Sequence, residues 1–267
     1  MVFASDLDMT LVFSDKFLPY SKKDLKVAEI KRDGRQAYMS KEVFNNLKDM
    51  IDNGLVFIPT TARTYDRYKN IHLLNELNLK YEITGNGKDI WVNGEKDAEW
   101  QSLIENKLKN EKISLSEITE IVNNFISTLN NKEFKIYQFD DYLSIFSFSK
   151  RDFFTREENT ALQELLKDTG WSGYCCNRKL YITVDYINKK SALDYMKEKY
   201  FKEDEFIVAG DSLSDLDMLM WSDYAIVPKH GDINLVIQRE DLKVTETEGI
   251  SSSKDIINKI KEIQKEV

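Results

Sequence analysis

The stretch that decides the fold is MVFASDLDMT, at residues 1–10. Its first five residues are apolar or small and predict a buried strand of a parallel sheet. Asp6 and Asp8 follow at alternate positions where that strand ends, so an extended backbone places both carboxylates on one side. Open α/β sheets bind ligands at the carboxyl ends of their strands. The pair can therefore hold Mg²⁺, or serve as a nucleophile and a general acid.

The composition indicates a globular protein of ordinary hydrophobicity. The chain has 267 residues, 42% hydrophobic and 31% charged, which is enough for one large or two smaller domains. No apolar run approaches the length of a membrane span, and the first residues lack the pattern of a secretory signal. The two cysteines are adjacent, which is no disulfide framework and fits a reducing cytoplasm. We therefore expect a cytoplasmic protein, and a monomer.

Charge and histidine content narrow the classes of function. A net charge of −8 disfavours a nucleic-acid partner, because such proteins usually carry a basic face. The chain has 2 histidines, His72 and His230, which argues against a histidine-built zinc site. We expect His230 to be a solvated loop residue. A small anionic substrate remains possible where a metal ion neutralises its charge.

Strands and helices alternate in the first and last thirds of the chain, which is typical of a parallel α/β sheet. A hairpin over 26–38, turning at Asp33-Gly34, interrupts this alternation after the first strand. The other elements predicted here are strands at 55–58, 81–84, 206–209, 224–227 and 242–245, and helices at 41–53, 65–77, 189–200, 213–221 and from 252 onward.

Residues 88–185 have a different pattern, in which strands follow one another in pairs. The predicted strands are Phe134–Phe139, Tyr142–Phe148, Tyr174–Asn177 and Lys179–Val184, and the predicted helices lie near 114–129 and 156–168. Paired strands imply antiparallel pairing, so we interpret this segment as an inserted α+β domain. Some of its aromatic residues can stack on a sugar ring, although packing within the sheet explains most of them; these residues are Tyr142, Phe146, Phe148, Tyr174 and Tyr181.

Three later segments carry chemistry that matches the opening motif. Thr61 ends the second core strand, where a hydroxyl and the free N–H groups at the start of a following helix suit a phosphate; Thr61 can also cap that helix, and the two roles are compatible. Lys189 begins a helix and can place a positive charge between a phosphate and carboxylates, with Lys190 as the alternative. Gly210 to Asp215 follow another strand and add two carboxylates, of which Asp215 can alternatively stabilise a helix N-terminus.

In their order and spacing, these segments resemble the four motifs of the haloacid dehalogenase (HAD) superfamily of phosphotransferases. The likeness is greatest to its Cof-type and sucrose-phosphatase-like sugar phosphatases. The matching segments are Asp6-Leu7-Asp8-Met9-Thr10 for D-x-D-x-T, Thr61-Ala62-Arg63 for T-G-R, Lys189-Lys190-Ser191-Ala192-Leu193 for K-G-x-A-L, and Gly210–Asp215 for G-D-S-x-N-D. Ala62 and Lys190 stand where the family has glycine, and Ser214 stands where it has asparagine.

The resemblance implies a fold and a mechanism. The fold is a Rossmann-like parallel-sheet HAD core at 1–87 and 186–267, with an α+β cap domain inserted at 88–185. Asp6 is the implied nucleophile, forming an aspartyl-phosphate, and Asp8 is the implied general acid and base. Mg²⁺ is expected on Asp6, Asp211 and the backbone carbonyl of Asp8, with Asp215 close by. The expected substrate contacts are Thr10, Thr61, Ala62, Arg63, Asn86, Lys189 and Ser214.

Three functions remain open on these residues. The first is a Mg²⁺-dependent phosphatase of a small metabolite, most simply a sugar phosphate. The second is a phosphomutase, which returns the phosphoryl group to a sugar instead of passing it to water. The third is a sensor without catalysis that binds a phosphorylated ligand. The substrate itself is not encoded in the motifs, because the inserted domain sets specificity.

Overall fold

The computed structural model describes residues 1–18, 21–129, 133–150, 153–176 and 178–266, and the backbone alone for Lys16. The chain divides into two compact units, which are described separately. The first unit combines Met1–Gln101 with Asn188–Val267, and the second is Ser102–Ile187. None of the helices in the described ranges is both long enough and apolar enough to cross a bilayer.

The strands and helices are numbered in chain order. The strands are β1 (Val2–Ser5), β2 (Phe13–Ser14), β3 (Leu25–Ile30), β4 (Gln36–Ser40), β5 (Val56–Pro59), β6 (Tyr81–Thr84), β7 (Asp89–Val92), β8 (Glu95–Lys96), β9 (Phe134–Phe139), β10 (Leu143–Phe148), β11 (Trp171–Cys176), β12 (Lys179–Val184), β13 (Phe206–Ala209), β14 (Tyr224–Val227) and β15 (Lys243–Val244). The α-helices are α1 (Lys41–Asp52), α2 (Tyr65–Lys69), α3 (Ala98–Lys109), α4 (Leu115–Thr128), α5 (Arg156–Leu166), α6 (Lys189–Tyr200), α7 (Leu216–Trp221) and α8 (Ser252–Glu266).

A five-stranded parallel sheet forms the centre of the first unit, in the order β15–β14–β13–β1–β5. β1 lies between two neighbours and is buried along its whole length, as its run of apolar and small residues predicts. Its last residue, Ser5, is in register with Ala209 of β13 and Pro59 of β5. The residues that follow these three strands therefore emerge at one edge of the sheet. The predicted α/β class is confirmed.

Amphipathic helices bury the faces of this sheet. α8 carries isoleucines at helical spacing, and all of them are buried in the core cluster that contains Phe3 and Phe57. α1 contributes Val43, Phe44 and Leu47 to the same cluster. Burial of a large apolar side chain stabilises the fold by about 1.5–3 kcal/mol, so these two helices anchor the sheet firmly.

The predicted hairpin after β1 is present and belongs to a small sheet in the order β2–β4–β3. It turns at Gly34, whose φ of 81° suits glycine. The ladder between β3 and β4 shifts register between Val27 and Glu29, which marks a β-bulge. Ala28 and Glu29 are consequently buried side by side, at 0% and 6% exposure, where regular alternation would expose one of them.

The second unit is the predicted α+β segment, with an antiparallel sheet in the order β11–β12–β10–β9. Capping boxes begin its two long helices: Ser114 with Glu117 at α4, and Thr155 with Glu158 at α5. The predicted strand at 174–177 is longer at its start, and Asn177 lies outside the described residues.

The boundary between the units differs from the predicted 87/88 and lies at 101/102. Residues 88–101 group with the first unit because β7 pairs with β6 and because the Trp100 indole N–H donates to the carbonyl of Lys88. The sequence prediction also missed α3. The Asp97 carboxylate accepts hydrogen bonds from the N–H groups of Glu99 and Trp100, which is the N-cap signal that identifies this helix.

The helix expected over 65–77 is two separate elements. α2 ends at Lys69, and a 3-10 helix follows at His72–Leu77. Ile71, between them, has a ψ of 71° that no helix permits. The apolar periodicity continues through the break, because both elements bury leucine and tyrosine side chains against the same core.

Candidate active site

Asp6 is the first residue beyond the buried central strand. Its N–H donates to the carbonyl of Ala209 at 2.9 Å, which continues the parallel ladder by one residue. The hydroxyl of Ser5 donates to the Asp6 carbonyl at 2.6 Å. These bonds fix the backbone on both sides of Asp6. The residue as a whole is 7% exposed.

The turn after β13 brings a second carboxylate to the same edge. Asp215 is fully buried, and its Oδ2 accepts the N–H groups of Asp211 at 3.1 Å and Ser212 at 3.0 Å. The Ser212 hydroxyl donates to the same oxygen at 3.0 Å. These bonds satisfy a carboxylate that would otherwise be costly to bury.

Lys189 joins these two carboxylates. It is the first residue of α6, whose N-cap Asn188 accepts the N–H of Ser191 at 2.8 Å. The buried Lys189 ammonium lies 2.5 Å from Asp6 Oδ1 and 2.6 Å from Asp215 Oδ1. Lys190 points elsewhere and pairs with Asp194 one helical turn away. The structure therefore brings Lys189, and not Lys190, to the carboxylates.

A glycine turn sets the position of α6 against the core. Gly87 has a φ of 99°, and a Cβ on it would lie 2.2 Å from the carbonyl oxygen of Asn188. The backbone after β6 thus lies directly against the residue that precedes Lys189. Any side chain at Gly87 would push the start of α6 away from this edge of the sheet.

Three carboxylates lie close enough to share a cation. Among the described residues, Asp6, Asp211 and Asp215 offer carboxylate oxygens that all lie within 4.8 Å of one another. The Thr10 hydroxyl donates to Asp211 Oδ1 at 3.2 Å and so orients that carboxylate. Hard oxygen ligands of this kind suit Mg²⁺. The Asp8 carboxylate is not a member of this group.

Burial and crowding change the proton affinities in the cluster. Burial raises the pKa of Asp6 from 3.8 to about 7; Lys189 opposes this rise, and the charges of Asp215 and Asp8 add to it. Burial and the charges of Asp6 and Asp215 also raise the pKa of Asp211. Burial disfavours the charged form of Lys189, but Asp215 and Asp6 outweigh that effect, so its pKa is raised and it remains an ammonium. A bound divalent cation favours the ionised form of both aspartates.

The Asp8 carboxylate, which lies outside the carboxylate cluster, is bound by Arg63. Arg63 Nε donates to Asp8 Oδ2 at 2.6 Å and Nη2 donates to Oδ1 at 2.7 Å, in a bidentate pair. Arg63 follows β5 and is largely buried, whereas the Asp8 side chain is 52% exposed. Burial works against the charge of Arg63, but the bonds to Asp8 and to Glu29 raise its pKa above the usual range. The structure thus displays Arg63 in contact with a carboxylate.

The end of β5 presents the hydroxyl and backbone groups expected of a phosphate loop. Thr61 is buried, and its hydroxyl accepts the N–H of Arg63 at 3.1 Å, which leaves the hydroxyl hydrogen available. Asn86 donates its N–H to the Thr61 carbonyl at 3.0 Å. Asn86 has a φ of 58°, and its buried Oδ1 has no hydrogen-bond partner among the described residues. Ala62 is exposed beside them.

Ser214, another expected substrate contact, interacts with a neighbouring serine. Its hydroxyl pairs with the Ser212 hydroxyl at 2.8 Å, in the turn that holds Asp215. The shorter side chain of serine, in place of the family's asparagine, thus interacts within its own turn.

Sequence reasoning missed Glu29, which contacts this region, and favoured a solvated position for His230. Glu29 lies 3.0 Å from Arg63 Nη2 and gave no signal, because the bulge that buries it is invisible to an alternation pattern. His230 was expected in solvent but is half-buried. Its Nδ1 accepts the N–H of Gly249 at 3.2 Å, so the neutral ring carries its proton on Nε2, which donates to the Met9 carbonyl at 2.9 Å.

Comparisons with known proteins identify the family of the chain. The model of the sucrose-6F-phosphate phosphohydrolase family matches residues 1–254. No curated protein matches the chain in sequence. Solved structures share its fold; three of them, all under 25% identical to the chain, match it over almost their whole length.

The first is a sucrose-phosphatase from Synechocystis sp. PCC6803 with sucrose and phosphate, at 12% identity and a TM-score of 0.67, with 98% of each chain covered. The second is a HAD subclass IIB sugar phosphatase, BT4131, at 13% identity and a TM-score of 0.63, with 98% of each chain covered. The third is a Thermoplasma acidophilum protein at 14% identity and a TM-score of 0.59, which covers 98% of this chain and 97% of that one.

The family match spans all four motifs, and the solved structures share the parallel-sheet fold with its inserted α+β segment. The chain therefore belongs to the sucrose-6F-phosphate phosphohydrolase family of HAD-type sugar phosphatases and is a phosphoric monoester hydrolase.

Proposed function

We propose that this protein hydrolyses a sugar phosphate in two steps, through an aspartyl-phosphate on Asp6, and that it requires Mg²⁺. The observation that carries the proposal is the placement of Lys189, 2.5 Å from Asp6 and 2.6 Å from Asp215, with an Asp211 oxygen within 4.8 Å of both carboxylates. A nucleophilic carboxylate flanked by a fixed ammonium and by cation ligands suits the attack of an anion on an anion.

In the first step, an Asp6 oxygen attacks phosphorus and forms a bond as the ester oxygen leaves. Asp8 donates a proton to that oxygen, so the sugar departs as an alcohol. Lys189 and the Thr61 hydroxyl are the donors proposed to bind the phosphoryl oxygens. The N–H groups of the turn after β5 and the Asn86 side chain complete this phosphate site.

In the second step, water attacks the phosphorus of the aspartyl-phosphate. Asp8, now ionised, accepts a proton from that water, the bond from Asp6 to phosphorus breaks, and inorganic phosphate is released. Asp8 serves in both directions because the proton that it gives in the first step is replaced in the second; its carboxylate lies outside the cluster of Asp6, Asp211 and Asp215.

Mg²⁺ is proposed to bind at Asp6, Asp211 and Asp215, with the Asp8 backbone carbonyl as the expected fourth protein ligand. When bound, the ion neutralises charge between the carboxylates and the phosphoryl group. Thr10 orients Asp211 for this role through its hydroxyl.

We propose a sugar phosphate as the substrate class because of the family match and because of aromatic residues in the sheet of the second unit. Tyr142, Phe146 and Phe148, which were candidates for stacking, are buried. Tyr174 and Tyr181 stack on each other with ring centroids 5.0 Å apart. They lie on the sheet face opposite Ser144, where α4 packs. We propose that these two rings contact the sugar.

A monomer in the cytoplasm, with no nucleic-acid or membrane partner, completes the proposal. The net charge of −8 supports the absence of a nucleic-acid partner, and the two adjacent cysteines fit a reducing cytoplasm.

The test is phosphate release from a panel of sugar phosphates, including sucrose 6-phosphate, with Mg²⁺ and with EDTA. Wild type should require Mg²⁺, Asp6→Asn should release no phosphate, and Asp217→Asn should be unchanged. Asp217 is a matched control because it is an exposed acid close to the same turn. An acid-stable phosphoenzyme on wild type, absent from Asp6→Asn, would demonstrate the intermediate. Wild-type rates in folded Asp6→Asn would refute the mechanism, and transfer to an added sugar would identify a mutase.

A further inference from the structure

We propose that Glu29, in the hairpin after β1, is a positioning residue that acts through Arg63 to hold the Asp8 carboxyl group for proton transfer. The proposal rests on the proposed role of Asp8. It gives the hairpin a part in the reaction beyond covering this end of the sheet.

The three side chains form a continuous chain of ionic contacts. Glu29 Oε2 lies 3.0 Å from Arg63 Nη2, and the same nitrogen donates to Asp8 Oδ1 at 2.7 Å. Glu29 is 6% exposed, so its carboxylate needs a charged partner to remain buried. Arg63 supplies it, which ties the orientation of the guanidinium to the hairpin.

Asp8 depends on this fixed guanidinium for its orientation. Its side chain is 52% exposed, and among the described residues its carboxylate accepts hydrogen bonds from Arg63. An exposed aspartate otherwise exchanges rotamers freely. The planar fork of arginine restricts it to one orientation, provided that the fork itself does not move.

Glu29 is the second charged partner of the guanidinium, through the ion pair at 3.0 Å, and its Oε2 makes no hydrogen bond among the described residues. The remaining bond runs from Nη1 to the carbonyl of Arg67 at 3.3 Å, which is long. The β-bulge at Ala28 directs Glu29 inward, and bulges often re-aim a side chain beside an active site. The alternative is that the Glu29–Arg63 pair only anchors the hairpin to the core.

The dependence of rate on the leaving group distinguishes these two roles. A sugar alcohol needs a proton as it leaves, whereas p-nitrophenolate leaves readily without one. Loss of a positioned acid therefore slows cleavage of a sugar phosphate and spares p-nitrophenol release in the first turnover. Loss of a structural anchor slows both reactions alike.

The experiment compares wild type, Glu29→Gln, Asp8→Asn and Glu76→Gln, all shown to be folded by circular dichroism. Glu76→Gln is the matched control, because Glu76 also ties this hairpin to the core, through an exposed pair with Lys26 at 3.3 Å. We expect Glu29→Gln to reduce kcat on the best sugar phosphate at least tenfold. General acid catalysis contributes roughly 100- to 10,000-fold to a rate, and a misplaced acid loses part of that contribution. First-turnover release of p-nitrophenol should stay within twofold, and Glu76→Gln should resemble wild type on both substrates.

A second comparison tests whether Glu29 acts through Arg63. In a double-mutant cycle, Glu29→Gln should add little to the loss caused by Arg63→Gln, because both changes free the same carboxyl group. If Glu29→Gln does not fold, Glu29→Asp supplies the same comparison, since it keeps the charge and withdraws the carboxylate by one methylene.

An equal loss on both substrates, or wild-type kcat on the sugar phosphate, would overturn the proposal. Failure of the underlying function has a different signature. In that case Asp8→Asn itself would not discriminate between the two leaving groups.

Discussion

The Asp215 carboxyl group occupies the space that a side chain at position 210 would need, and this position is a glycine, Gly210. A Cβ on Gly210 would lie 2.5 Å from the Asp215 Cβ and 2.6 Å from its carboxyl carbon. Contacts this short require the neighbour to move. The glycine that follows β13 therefore allows Asp215 to turn back toward Lys189 and the carboxylate cluster.

Gly210→Ala should consequently impair the cluster while the fold persists. We expect Asp215 to be displaced, the affinity for Mg²⁺ to fall, and kcat to drop at least tenfold, because a misplacement of about 1 Å can reduce the rate 100-fold. Calorimetric titration with Mg²⁺ and steady-state kinetics measure the two effects. Unchanged affinity and kcat would show that the turn adapts without moving Asp215.

The two neighbouring lysines should respond very differently to the same substitution. Lys189→Met leaves Asp6 and Asp215 buried without their cation, which costs about 3–5 kcal/mol of stability and should abolish turnover. Lys190→Met removes only a surface pair with Asp194 and should change stability by about 0.5 kcal/mol or less. Urea unfolding and phosphate release measure both variants. A larger loss of activity in Lys190→Met would mean that the third motif is misplaced.

The metal-free protein should lose stability as the pH rises from about 4 to 7. The folded state raises the pKa of Asp6 from 3.8 to about 7, and it also raises that of Asp211. In this window the folded state binds more protons than the unfolded state, so the free energy of unfolding falls with pH. Mg²⁺ needs the ionised carboxylates, so its stabilising effect should increase over the same range.

Urea unfolding in EDTA and in Mg²⁺, at several pH values, measures this dependence. Asp6→Asn should flatten the pH dependence in EDTA, and Asp217→Asn should leave it unchanged. Stability in EDTA that rises with pH in wild type would contradict the expected sign.

His230 should support the loop that carries Asp8. It joins the Met9 carbonyl to the Gly249 N–H, and Met9 has a φ of 69°, which non-glycine residues adopt at a cost. His230→Ala should lower kcat by about tenfold with a smaller change in KM, because the loop loses an anchor but keeps its binding groups. His72→Ala is the control, since His72 is exposed on the 3-10 helix. Equal effects of the two variants would exclude a specific role for His230.

Local chemistry determined much of what could be predicted. The apolar run before Asp6 and the four ordered motifs act over a few residues, so their consequences appear in the sequence. They led to the α/β class, the inserted segment and the family, all of which the structure and the comparisons support. They also placed Asp6, Asp211 and Asp215 at strand ends, where the parallel sheet brings them together.

Only the tertiary structure decided which charges meet. Lys189 and Lys190 are adjacent and chemically alike, and the direction of α6 buries one and exposes the other. Glu29 reaches Arg63 because a bulge reverses the side of the hairpin on which it lies. Such pairings join residues far apart in the chain. They depend on the packing of whole elements, which short-range patterns in a single sequence do not encode.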